Sequence, residues 1–314
     1  IGHGPFSHAM EHSLVEVSHE EISMRFMRKL DEEFGGKLQL AIQIFKGEYP
    51  RKFMLQLVSS QLDMDRMDYL KRDSFFTGVA EGNINSDRLI QMLNVVDEEL
   101  VVEEKGIYSI EKFLMARRLM YWQAYLHKTS LVAELMLMRI LMRARELASK
   151  GVNLHASPAM IHFITNRVTG ETFTWETLEK FSQLDDTDVI SAIKWWQSHN
   201  DTVLSTLSRM LLNRDLLKVK LGPEKFSSDQ VRELAARWAG ERSISQEEAK
   251  YFVFKGKIRN QAYNKHAQPI RIYKKDRSIE DVIEASDQLN LKALSKPVTK
   301  YYLCFPKQLA EKGI

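Results

Sequence analysis

From Ser18 to Leu212 one pattern keeps returning: apolar side chains at three- and four-residue spacing, with short glycine or polar breaks between the runs. It leaves little room for a large sheet and predicts helix after helix over the first two-thirds of the chain. Ser18-His19-Glu20-Glu21 reads as a capping box opening a segment with Ile22, Phe26, Met27 and Leu30 on one face, stopped by Gly35-Gly36. Residues 51–75 continue as a helical pattern. Residues 109–150 carry Ile110, Leu114, Tyr121, Tyr125, Leu131, Leu135 and Met138 at near-helical spacing, enough for two helices closed by Gly151. Further helical blocks lie in "TWETLEKFSQLDDTDVISAIKWWQSH", where Trp195 and Trp196 read as packing, and in "DTVLSTLSRMLLNRDLLKVKL". Only "VVDEELVVEEKGIYSI" alternates, as a short hairpin does.

The character changes after "LGPEKFSS". "YFVFKGK", "QPIRIYKK" and "YYLCFP" are β-rich, and "SIEDVIEASDQL" between the last two reads as a helix with Ser278 as its N-cap. The expected fold is mainly α, with a helical core over 1–222 and a small α+β lobe over 223–314. With 44% hydrophobic residues in 314, a well-buried core is affordable.

Composition removes several classes of function. The one cysteine, Cys304, excludes an internal disulfide framework and a multi-cysteine zinc site, and fits a reducing, cytoplasmic compartment. No apolar run is long enough for a membrane helix, and the N-terminus has no signal-peptide pattern. A net charge of +3 argues neither for nucleic acid nor for membrane in bulk, so any anion site is local.

Three stretches concentrate chemistry. "IGHGPFSH" sets His3 and His8 about a Gly-Pro turn; with His12 and His19 it holds four of the nine histidines within nineteen residues, and Glu11 is at hand to orient one. In "QLDMDRMDYLKRDSFFTG", helical spacing aligns Asp65 with Asp68, Tyr69 and Arg72, and sets Arg66 and Asp73 in an adjoining row. Such carboxylates suit a hard cation and such Arg and Tyr suit phosphate, although a self-paired, solvated helix face has the same composition. In "ARRLMYWQAYLHK", Arg117, Tyr121, Tyr125 and Lys128 form a stripe suited to phosphates and a stacked base or sugar, or to ordinary packing with snorkelling cations.

Together these three stretches resemble the HD-domain phosphohydrolases, and within them the deoxynucleoside triphosphate triphosphohydrolases, over roughly residues 1–220. The resemblance implies an all-helical, phosphodiesterase-like core and a divalent metal (Mg, Mn, Fe or Zn) held by an upstream His, a His-Asp doublet and a distant Asp. Asp65 matches the distant Asp, and the doublet falls one residue before "GHGPFSH", a gap that Ile1 fills. The expectation is therefore a chain cut through its active site, with most metal ligands upstream of Ile1. His3, His8 and His19 match histidines near the scissile phosphate, and Glu11 an acidic partner that positions them. Arg66, Tyr69 and Arg117 match phosphate contacts, Asp73 a contact to the sugar 3′-hydroxyl, and Tyr125 a residue against the deoxyribose. Tyr121 stands where some relatives have histidine.

The implied reaction is metal-dependent hydrolysis of a dNTP to deoxynucleoside and triphosphate, with His8 as acid for the departing oxygen, Glu11 or His19 orienting it, and His3 donating to a phosphate oxygen. The resemblance also implies a homo-oligomer. Two other readings remain open: a catalytically silent scaffold that binds nucleotides or partners, and a phosphodiesterase acting on a cyclic nucleotide or nucleic acid. From Lys255 to Arg277, eight Lys or Arg face one acidic residue, Asp276, with Tyr263 and Tyr273 interleaved. That segment fits a lysine-guarded ribbon edge, a regulatory nucleotide site or a single-stranded nucleic-acid contact.

Overall fold

The computed structural model describes residues 2–287 and 294–310, and is mainly α with three small sheets among those residues. In chain order the elements begin with α1 (Ser7–Ser13), β1 (Val15–Glu16), α2 (His19–Glu33), α3 (Gln39–Lys46), α4 (Lys52–Val58) and α5 (Met64–Thr77). There follow α6 (Ser86–Gln91), β2 (Leu93–Val96), β3 (Glu99–Glu103), α7 (Ile107–Met120), a π-helical turn (Tyr121–Tyr125) and α8 (Lys128–Ser149). Next come α9 (Pro158–Thr165), β4 (Val168–Thr169), α10 (Trp175–Ser182), α11 (Asp186–Trp196), α12 (Thr202–Leu212) and β5 (Lys218–Gly222). The remainder is α13 (Ser228–Arg242), α14 (Gln246–Ala249), β6 (Phe254–Asn260), β7 (Arg271–Tyr273), β8 (Ile279–Asp281), α15 (Val282–Ala285), β9 (Val298–Phe305) and α16 (Lys307–Ala310).

Local chemistry explains most boundaries. Ser18 caps α2, its hydroxyl accepting from the Glu21 amide at 3.2 Å. The helical pattern of 51–75 is broken at 59–63, because Asp63 turns its carboxylate onto the amides of Ser60 and Arg66 and starts α5 afresh. Gly78, in the left-handed region at φ 71°, ends α5. The expected hairpin is β2–β3, an antiparallel pair closed by Asp97 and Glu98, both at positive φ as a two-residue turn requires. "SIEDVIEASDQL" departs from expectation: residues 279–281 form β8, and Asp281, not Ser278, caps the one-turn α15. Positions 288–289 of that stretch lie outside the described residues.

Contacts divide the chain into two compact units: Ile1–Gly36 with Lys128–Lys257 and Lys300–Ile314, and Lys37–His127 with Ile258–Thr299. This is not the division at 222/223 that composition suggests. The β-rich C-terminal segments do not pair only among themselves: β9 runs antiparallel to β5, whereas β7 lies parallel to β3 and extends the β2–β3 hairpin. Each unit has its own apolar core. The first is built on Met10, Leu14, Ile140, Phe163, Trp196 and Leu204, with the Met-rich α8 at its centre; the second on Leu70, Phe113, Leu114, Met120, Tyr263 and Ile272. Among the described residues no helix is long and apolar enough to cross a membrane.

In the first unit a single arginine fixes the segment after α1. The Arg145 guanidinium donates to the carbonyls of Ser13 (3.0 Å), Leu14 (2.5 Å), Phe163 (3.3 Å) and Asn166 (3.1 Å), tying the end of α1 to α8 and α9. Replacing it leaves those carbonyls without that donor. Arg145→Leu is expected to lower stability by about 2–3 kcal/mol in urea unfolding, and an unchanged midpoint would remove the clamp from this account.

Two candidate functional sites, one in each unit

The N-terminal turn is held by close approach. Gly2 donates its amide to Ser23 Oγ at 2.9 Å, and a Cβ at this position would stand 2.1 Å from the carbonyl oxygen of His19. A Cβ on Gly4 would meet the Phe181 ring at 2.7 Å. Only glycine lets the turn lie this close to the start of α2, and the consequence is a stack: the His3 and His19 rings are 4.2 Å apart and 30° from parallel. His19 Nδ1 is 2.9 Å from Glu11 Oε1, which also accepts from Ser7 Oγ at 3.3 Å, and His19 Nε2 is 3.4 Å from Glu20 Oε1. Phe6, at φ 47°, turns the chain into α1.

This arrangement brings three of the four expected catalytic residues together. His3, Glu11 and His19 form one group, with Glu11 orienting His19. His8 lies on the exposed face of α1 and lines a different space, a mostly apolar cavity of about 440 Å³ with Ala133, Leu137, Ile190, Ile193 and Leu211. The expectation that Glu11 orients His8 is therefore replaced by the Glu11–His19 pair.

In the second unit the residues expected at the phosphate and the sugar converge. Asp63, 1% exposed, holds Arg66 through both the backbone amide and the guanidinium. The sequence reading passed over it, although an Asp three residues ahead of an Arg at a helix start is the pattern of such a pair. Tyr69 and Asp73 stand one turn apart on α5, and the Tyr125 hydroxyl donates to Asp73 Oδ2 at 2.7 Å. The Tyr125 ring meets Tyr69 at 6.0 Å and Tyr121 at 5.2 Å, both edge-on. Burial holds the Tyr69 phenol above the usual range; burial and the bond to Asp73 do the same for Tyr125.

Arg117 completes the group. It is 8% exposed, its guanidinium carbon is 6.0 Å from the Tyr121 ring centroid, and its Nε and Nη1 are buried without a hydrogen-bond partner. Arg66 Nε is in the same condition. The expected stripe thus holds for Arg117, Tyr121 and Tyr125, because the chain widens into a π turn in which the Leu126 amide donates to the Tyr121 carbonyl at 2.7 Å. Lys128 leaves the stripe, exposed at the start of α8.

Asp65, the expected metal ligand, is exposed in the first turn of α5. Among the described residues no group of three His, Cys, Asp or Glu side chains is placed to hold a metal ion. The donor set present does not fit a bound divalent metal, and Ile1 lies outside the described residues. In the basic 255–277 segment, Lys255 donates to the Phe226 carbonyl and Ser228 Oγ, and Lys274 pairs with Glu280 at 2.6 Å.

The comparisons agree on one family. Residues 84–160 match the model of the HD associated region. A crystal structure of a phosphohydrolase from Bacteroides thetaiotaomicron superposes with a TM-score of 0.92 at 53% identity, over 97% of this chain and 76% of that one. YwfO, an uncharacterized protein of Bacillus subtilis, is 32% identical over 239 residues, which are 73% of this chain and 53% of that protein; the match thus spans about half of the relative's length. A Dictyostelium discoideum protein named as a deoxynucleoside triphosphate triphosphohydrolase SAMHD1 homolog is 26% identical over 155 residues, 44% of this chain and 30% of its own.

A buried guanidinium without a counter-charge destabilises the fold unless a ligand supplies one. Arg117→Met is therefore expected to raise stability by about 1–3 kcal/mol in urea unfolding at neutral pH without added ligand. A loss of similar size would make Arg117 a structural residue.

Proposed function

The chain belongs to the HD-domain phosphohydrolases, and we propose that it acts on deoxynucleoside triphosphates, releasing a deoxynucleoside and inorganic triphosphate. The observation that carries this reading is the buried guanidinium of Arg117, its Nε and Nη1 without a partner, against the ring of Tyr121 in the Tyr69–Tyr125–Tyr121 cluster. Arg117, a fixed donor with no carboxylate of its own, suits a ligand rich in negative charge, and a triphosphate tail has more to offer it than a cyclic or single diester phosphate. The name of the Dictyostelium relative supports the same substrate class.

In this reading Arg117 and Arg66 bind the phosphate chain, with Tyr69 as a neutral donor kept protonated by burial. Asp73 accepts from the sugar 3′-hydroxyl, and Tyr125, which it already holds, packs against the deoxyribose. A water oxygen adds to the α-phosphorus and gives up one proton, the bond from that phosphorus to the 5′ oxygen breaks, and the departing oxygen takes one proton, so that the protons balance. Within the first unit, Glu11 holds the His19 ring by Nδ1, which makes His19 rather than His8 the oriented imidazole and the candidate acid there. Members of the family bind divalent metals; no step here is routed through one, because the described residues do not assemble its ligands.

Product identity tests the reading. The full-length protein incubated with dGTP and Mg²⁺ or Mn²⁺ is expected to yield deoxyguanosine and triphosphate, separated by ion exchange, with kcat/KM reduced about tenfold to a hundredfold in Arg117→Met. Monophosphate with pyrophosphate would overturn the assignment. Binding without turnover under any metal would replace it with a nucleotide-binding scaffold.

A further inference from the structure

Arg66 differs from Arg117 in having a carboxylate of its own, and that carboxylate is held more firmly than a helix cap requires. A capping side chain needs one oxygen, placed on the amides of the first turn. Asp63 uses both: Oδ1 accepts from the Arg66 amide at 2.8 Å, and Oδ2 accepts from the Ser60 amide at 3.0 Å and from Arg66 Nη1. The loop that carries it is braced in turn. Gln61, 9% exposed, donates from Nε2 to the carbonyls of Asn264 and Gln268, and its Oε1 accepts from the Asn264 amide at 2.7 Å. Gln268 Nε2 donates to the Ser59 carbonyl at 3.2 Å. Asp63 therefore stands on a fixed loop, and a shift of that loop would break bonds on both sides of Gln61.

A guanidinium offers more than one edge. Asp63 takes Nη1, while Nε is buried without a partner. The edge that Asp63 leaves over, Nε with Nη2, is one that meets two oxygens of a phosphate side-on. The Arg66 side chain is 31% exposed, so a ligand can reach it. Burial raises the Tyr69 phenol, and the charges of Arg117 and Arg66 both oppose that rise, so the two cations act on one hydroxyl.

We infer that Asp63 is a positioning residue of the phosphate site, holding Arg66 by Nη1 so that its Nε–Nη2 edge is presented to an incoming phosphate. The inference rests on the reading of Arg66 as a phosphate contact, and adds to it a residue whose charge by itself would repel the ligand. Charge and position predict opposite signs. If Asp63 matters only as a negative charge, removing that charge strengthens phosphate binding; if it positions Arg66, removing it weakens binding.

Calorimetric titration of inorganic triphosphate into the full-length protein, with EDTA present, separates the two. Asp63→Asn keeps an acceptor for the helix cap, so its circular dichroism should be unchanged. It is expected to bind triphosphate about tenfold more weakly than wild type, although its site is one charge more positive. Asp63→Ser, a shorter cap, should do the same. Arg66→Met is expected to weaken binding, and adding Asp63→Asn to it to cost nothing further, because the effect passes through the guanidinium. Asp63→Asn binding as tightly as wild type, or more tightly, overturns the inference and leaves Arg66 as a phosphate contact. A loss that persists in the Arg66→Met background also overturns it and makes Asp63 a cap alone. A wild type that binds no triphosphate, or an Arg66→Met variant that binds it as wild type does, removes the reading of Arg66 and the inference with it.

Discussion

An arginine with two nitrogens cut off from water and left without a partner is the constraint around which the second unit is arranged. Burying the Arg117 guanidinium with two nitrogens unbonded costs free energy that the apolar core of Leu70, Phe113, Leu114 and Met120 must offset. Its neighbours do not relieve it. Tyr121 offers a ring face at 6.0 Å, while Asp63 is taken up by Arg66 and Asp73 by Tyr125. The π turn after α7 keeps those rings on the arginine's side. On the proposed reading an anion brought from outside relieves this residue, and stability is the quantity the fold gives up without it.

The first unit solves a different problem, that of presenting imidazoles on a short turn. Two glycines permit backbone approaches that a methyl group would block, and Arg145 fastens the far end of α1. What results is an oriented pair, Glu11 with His19, under the ring of His3. The two ring nitrogens have separate neighbours: Nδ1 is held by Glu11 at 2.9 Å and Nε2 stands 3.4 Å from Glu20.

Much of this was legible in the sequence because it rests on local rules. Helix content, the Ser18 cap, the β2–β3 hairpin and the alignment of Arg117, Tyr121 and Tyr125 all follow from spacing within a few residues. The failures are tertiary. Nothing near residue 222 announces that β9 will return to β5 while β7 joins β3, so the two units are woven from separated segments. Periodicity ran through 59–63 without registering that Asp63 would turn inward to hold Ser60 and Arg66. The choice between His8 and His19 as the oriented histidine was equally out of reach, since Glu11 lies within a few residues of either and only the folded turn decides.

The central claim is that Arg117 waits for phosphate, and it is tested most directly by calorimetric titration of inorganic triphosphate into the protein and into Arg117→Met, with EDTA present. The account predicts saturable binding by the wild type that weakens with rising salt, and a loss of about tenfold or more in the variant. Equal affinity in the two proteins would contradict it.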